Sequence, residues 1–218
     1  PGLGQDFVTS GSGTRETFTR TAMGSHMDET HVVAICGSLR DDSHTRKALR
    51  IALQAADAAG GSTELLDLRE WELPVFDADA AEAGEAKAFR ERVRRADTVI
   101  LGTPVYHGSF ASPLKTALDY CGFDEFEETT IGLLAVAGGR FPITALEHLR
   151  TVGRALDAWV MPHQVAVPRA NSAFEGSKLV DAELRELIEV LGRDAVRYAH
   201  IEPAPESFES GENVGADD

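Results

Sequence analysis

His31-Val32-Val33-Ala34-Ile35-Cys36-Gly37-Ser38-Leu39-Arg40-Asp41-Asp42-Ser43 is the stretch that decides the fold. Its apolar run is unbroken and ends in glycine, which reads as a short strand buried on both faces. Behind the polar loop, Ala48, Leu49, Ala52, Leu53 and Ala56 recur at helical spacing over 43–59, and Gly60-Gly61 stops the run. Strand, polar loop and helix in that order form the opening unit of a parallel α/β sheet.

The same alternation continues outward. A second strand reads over 63–68, followed by a loop at 71–77 and a helix over 84–95 with Phe89 and Val93 four apart. A third strand, 98–101, is closed by Gly102-Thr103-Pro104. Ser112-Pro113 opens the next helix, serine as its cap and proline in its first turn, and Gly122 stops it. A fourth strand, 130–137, ends at Gly138-Gly139. A helix over 142–156 carries Leu146, Leu149, Gly153 and Leu156, and a short fifth strand covers 165–167. Leu184, Leu187, Ile188, Leu191 and Ala195 mark a final helix. Near-continuous apolar strands separated by helices predict an α/β fold. It is a flavodoxin-like, doubly wound, five-stranded parallel sheet of order 2-1-3-4-5 in a three-layer α/β/α sandwich. In such sheets ligands bind outside the carboxyl ends of the strands, where strands 1 and 3 diverge.

Composition agrees with one such domain. The chain has 218 residues, 43% hydrophobic and 26% charged. No apolar run is long enough to span a membrane, and no secretory signal stands at the start. Residues 1–27, which include Gly24-Ser25-His26-Met27, resemble a tag or disordered extension. Residues 201–218 form an acidic tail of disordered composition, leaving 28–200 as the domain. Lys+Arg total 21 against 36 Asp+Glu, a net charge of −15, which repels nucleic-acid phosphates and anionic membranes. An acidic surface poor in lysine resembles that of a halophile, and equally suits an arginine- and alanine-rich proteome. Two cysteines, Cys36 and Cys121, exclude a disulfide scaffold and fit the reducing cytoplasm; no zinc-binding pattern occurs.

Three loops are the places to search. Loop one, 37–46, leads from the first strand into a helix N-terminus, where free amides and the dipole attract phosphate. Ser38, Ser43 and Thr45 offer hydroxyl donors, and Arg40 a planar fork. The alternative is a plain turn whose serines cap the helix. Asp41 and Asp42 sit awkwardly beside an anion and are expected to face solvent. Loop one is neither a Walker A loop nor GxGxxG. Loop two, 103–113, starts with a rigid Pro104 and presents Val105, Tyr106, His107, Gly108 and Ser109 as a surface for a flat heterocycle. Tyr106 equally suits a cover for the core, and His107 a solvent-facing position. Loop three carries Gly138, Gly139 and Arg140, whose backbone can approach a ligand closely. Phosphate at loop one and a planar ring against loops two and three describe a mononucleotide site.

Three motifs then carry a resemblance: Gly-Ser-Leu-Arg-x-x-Ser-x-Thr-Arg-Lys at 37–47, Thr-Pro-Val-Tyr-His-Gly-Ser at 103–109 with Pro-Leu-Lys-Thr-Ala-Leu-Asp at 113–119, and Gly-Gly-Arg at 138–140. Over roughly 30–198 the chain resembles the NADPH-dependent FMN reductase family. The resemblance implies that FMN phosphate contacts Ser38, Arg40, Ser43 and Thr45, where many relatives carry Asn at the last position. It places the ring at Pro104, Val105, Tyr106, His107, Gly108 and Ser109, with Gly138, Gly139 and Arg140 at its pyrimidine side. It also implies hydride transfer from NADPH or NADH to FMN and onward to a small-molecule electron acceptor: free flavin, a quinone, an azo compound or a metal oxyanion. A homodimer or homotetramer is implied too, with the helix of Leu114, Leu118 and Asp119 as a candidate interface. The cofactor carries this chemistry, so no catalytic side chain and no metal is assigned. Two rivals stand beside it: a flavodoxin-type electron carrier without direct NAD(P)H oxidation, and a flavin-free binding domain. Loop one lacks the flavodoxin phosphate-loop pattern.

Overall fold

The computed structural model describes residues 29–201. The expected extension at 1–27 and the acidic tail beyond Ile201 lie outside the described residues. The elements run β1 (His31–Cys36), α1 (His44–Ala58), β2 (Ser62–Asp67), a 3₁₀ turn (Ala78–Ala80), α2 (Ala86–Arg94), β3 (Thr98–Tyr106), β4 (Ser109–Phe110) and α3 (Ser112–Asp119). They continue with α4 (Phe123–Phe126), β5 (Thr130–Val136), α5 (Ile143–Ala155), β6 (Trp159–Val167), α6 (Ala170–Ala173), β7 (Phe174–Glu175), β8 (Lys178–Leu179) and α7 (Ala182–Arg197).

The main sheet is ordered β2-β1-β3-β5-β6, all parallel. Numbered among the parallel strands alone, that is the expected 2-1-3-4-5. The two faces separate by residue parity, as a pleated strand requires. Val32 and Ala34 join Leu49, Leu134 and Leu191 in the layer under α1 and α7. Val33 and Ile35 join Phe89, Leu101, Leu114 and Leu146 in the layer under α2, α3 and α5. The helix of Leu114 and Leu118 therefore does not offer those two side chains as an interface; both are buried in the core. Its wet face carries Lys115, paired with Asp119 at 2.5 Å.

Four local expectations are corrected. Pro104 does not end β3. The strand continues to Tyr106 and turns back through His107 and Gly108 into β4, pairing Val105 with Phe110 and Tyr106 with Ser109. A mid-strand proline is tolerated here for a geometric reason. Gly37 N donates to Gly102 O at 2.8 Å, so residue 102 faces β1. By period-two alternation Pro104 faces the same side, past the end of β1, and its missing N–H costs no bond to that strand. The α3 cap is Ala111, with no side-chain bond, and Ser112 stands inside the helix with Pro113 in its first turn. That helix stops at Asp119, and a short α4 follows Gly122. The last sheet strand is longer than the expected 165–167. Its register against β5 shifts between Ile131 and Leu133, a bulge that absorbs Pro162 on an edge strand.

Candidate functional site

Loops one, two and three leave the carboxyl ends of β1, β3 and β5, which are neighbours in the sheet. In loop one Ser38, Ser43 and Thr45 are buried and Arg40 is exposed. Ser43 caps α1, its Oγ accepting from Arg46 N at 3.1 Å. The cap and the phosphate readings of Ser43 are compatible, because a hydroxyl that accepts one bond still has a proton to donate. The capped turn leaves the His44 and Thr45 amides without an intrahelical acceptor.

The two carboxylates of loop one are neutralised from outside. Asp42 pairs with Lys47, and the Lys47 ammonium holds its carboxyl below the usual range. Asp41 lies 3.1 Å from Arg69. Both side chains are exposed, facing solvent as the sequence reading expected. His44 stacks on Phe174 of the β7–β8 hairpin, ring centroids 4.8 Å apart. Burial, with Lys47 acting the same way, keeps its imidazole below the ordinary histidine range. Among the described residues no group of three or more His, Cys, Asp or Glu is placed to hold a metal.

Loop two is a hairpin, not an irregular loop. His107 (φ 51°) and Gly108 (φ 79°) form its two-residue turn, the succession of positive φ that short hairpins favour. Buried Thr103 closes its base: Oγ1 donates to Pro104 O at 2.8 Å and accepts from Ala111 N at 2.9 Å. Ser109 Oγ meets His148 Nδ1 of α5 at 2.9 Å. Pro104 is buried, Val105 and Ser109 are half-buried, and Tyr106, His107 and Gly108 are exposed. Tyr106, 52% exposed, is a surface aromatic and does not cover the core. Sequence reasoning placed Thr103 in loop two without giving it a role, and it missed His148, which lies outside every motif.

In loop three Gly138, Gly139 and Arg140 are exposed. Ala137 O accepts from Ala170 N at 2.9 Å and Gly139 O from Arg169 N at 2.8 Å. A trans peptide sets N–H opposite to C=O, so the Gly138 and Arg140 amides turn away from the β6 side. A Cβ added at Gly138 or Gly139 would meet nothing within 4 Å, and neither residue has a positive φ. At Gly37 and Gly102, by contrast, the Cβ would strike Leu114 at 2.8 Å and Leu49 at 2.5 Å. The protein's own packing explains those two glycines and leaves the loop-three pair unexplained. A planar ligand lying close on the backbone would explain it. A cavity of about 430 Å³ also borders loop one, lined by Ser43, Lys47, Arg50 and Arg185; it opens along α1 and touches neither of the other loops.

Cys36 ends β1 beside loop one, fully buried, and burial raises its thiol pKa. Burial likewise raises that of Cys121, whose Sγ lies 3.4 Å from Ala117 O. Both are expected to resist a disulfide-exchange reagent at pH 8 while folded, and to react together in denaturant. Rapid labelling of Cys36 in native protein would show that loop one opens in solution.

The model of the NADPH-dependent FMN reductase family matches residues 30–172. The chain is 33% identical over 138 residues to an FMN-dependent NADPH-azoreductase of Staphylococcus aureus, covering 61% of this chain and 73% of the relative. The protein of that name from Staphylococcus haemolyticus matches equally. Among solved structures, an NADH:FMN oxidoreductase in its apo form superposes with a TM-score of 0.61 at 22% identity, over 76% of this chain and 90% of that one. The NAD(P)H:(acceptor) oxidoreductase FerB of Paracoccus denitrificans gives 0.64 at 19%, over 79% and 100%. The structural likenesses speak for the fold.

Proposed function

The chain belongs to the NADPH-dependent FMN reductase family, and from that premise we propose that its three loops hold FMN for electron transfer from NAD(P)H to a small-molecule acceptor. When bound, FMN supplies the redox chemistry, taking a hydride and passing electrons on. The residues of this chain bind and orient it. Ser38 and Ser43 donate hydroxyl hydrogen bonds to the phosphate, joined by the His44 and Thr45 amides and the Arg40 guanidinium. The hairpin 104–109 offers its backbone and Tyr106 to the ring. Gly138, Gly139 and Arg140 present amides to the polar pyrimidine edge. No side chain need take or give a proton in the hydride step.

The observation that carries this reading is the empty Cβ space at Gly138 and Gly139, at the same end of the sheet as the capped α1 N-terminus, with β3 between the two strands. The acceptor is an azo compound, a quinone, free flavin or a metal oxyanion, the azo compound being the acceptor that the staphylococcal relatives' name records. The protein acts in the cytoplasm as a homodimer or homotetramer, which light scattering on purified protein checks. The test of function is a spectrum with added FMN, followed by NADPH or NADH consumption with an azo dye and a quinone. The expected result is a perturbed flavin band and reductant oxidation that requires FMN. A flavin-bound protein that leaves both reductants unoxidised with every acceptor would return the function to an electron carrier.

A further inference from the structure

Loop one is pinned by a side chain that the motif reading left without a role. Arg46, in the first turn of α1, spends its whole guanidinium on the loop and the neighbouring strand. Nε donates to Asp67 Oδ2 at 2.5 Å, one terminal nitrogen to Asp41 O at 2.9 Å and the other to Arg40 O at 3.1 Å. The Arg46 and Asp67 side chains are 12% and 8% exposed, so this is a built contact and not a surface encounter. Asp67 is itself positioned, accepting from Arg69 N at 3.3 Å, while Arg69 adds a second donor to Arg40 O at 3.3 Å.

The chemical consequence lies in peptide geometry. Carbonyl oxygens repel an anion and amide hydrogens attract it. In a trans peptide the two point in opposite directions. Drawing the Arg40 and Asp41 carbonyls onto one guanidinium turns the Asp41 and Asp42 amides the other way. A flexible loop would otherwise sample conformers that aim these oxygens at the phosphate. We propose that Arg46, locked by Asp67, is a positioning residue for the phosphate end of the flavin nucleotide, fixing the loop-one amides toward it without touching it. The proposal rests on the reading that FMN phosphate sits in loop one. The fork is what matters: a lysine keeps the charge but cannot bridge two carbonyls and a carboxylate in one plane.

The test compares FMN with riboflavin, which carries the same ring without the phosphate. Dissociation constants are measured by flavin fluorescence for the wild type, Arg46→Lys, Arg46→Ala and Asp67→Asn, with thermal melts of each apoprotein. Arg46→Ala is expected to weaken FMN about 30- to 100-fold and riboflavin less than twofold. Arg46→Lys and Asp67→Asn are expected to weaken FMN about tenfold, and these two carry the test where Arg46→Ala does not fold. Full FMN affinity in Arg46→Lys overturns the proposal in favour of a charge effect. Equal losses for FMN and riboflavin overturn it in favour of a general structural role. A wild type that binds FMN no tighter than riboflavin removes the phosphate site itself, and the proposal with it.

Discussion

Gly192→Ala is expected to destabilise the protein by about 3 kcal/mol or more, toward the upper end of overpacking costs. A Cβ at residue 192 would lie 2.0 Å from Ala52 O, 2.8 Å from Ala52 C and 3.0 Å from Ala55 Cβ. None of these atoms can rotate away, because two belong to the α1 backbone and the third is fixed to it. The sequence prepares this approach from both sides. Ala48, Ala52 and Ala56 put a stripe of small buried side chains on α1, and Gly192 lies among Ile188, Leu191 and Ala195 on the buried face of α7. Small residues let two helices pack at the short end of the usual interaxial range. A methyl group at the contact forces them apart along their length. For a domain of this size the melting temperature should fall by roughly 6–12 °C. Because α1 carries loop one at its N-terminus, a displaced α1 should weaken FMN binding too. An unchanged melting temperature would mean that α1 and α7 pack less closely in solution than described.

The alternation of apolar runs and helical stripes was enough to order the sheet, because burial on both faces leaves an unmistakable pattern in β1, β3 and β5. The expectation failed where local signals are overruled by neighbours. Pro104 reads as a strand breaker, yet it faces the side on which β1 has already ended. His107-Gly108 is not among the common hairpin dipeptides, so the β3–β4 turn looked like a loop. Pro162 broke the apparent pattern of β6, and only the bulge against β5 shows how the strand absorbs it. At the site, the Ser43 cap is legible because a cap is a contact over three residues. The clamp of Arg46 on Asp67 spans 21 positions, and the contact of Ser109 with His148 spans 39. Pairs that distant are set by which strands lie side by side, and a single sequence carries no mark of them.

The double variant Gly138→Ala with Gly139→Ala should move stability and binding in opposite directions. Neither position has a positive φ, and neither added Cβ meets another atom within 4 Å. The apoprotein therefore accepts both methyl groups without strain. Replacing glycine also lowers the entropy of the unfolded chain, which stabilises by about 0.4–1 kcal/mol per site. The apoprotein should melt a few degrees higher, at roughly 2–4 °C per kcal/mol. FMN meets the reverse effect, because a ring lying on this backbone would share its space with the new methyl groups. At the usual cost of overpacking, roughly 1–3 kcal/mol, affinity should fall about fivefold to 150-fold, and for riboflavin by the same factor, since the ring is common to both. The pairing separates this site from the clamp: Arg46 variants distinguish FMN from riboflavin, and loop-three variants do not. Raised stability with unchanged flavin affinity would place the ring elsewhere and leave the two glycines without a reason.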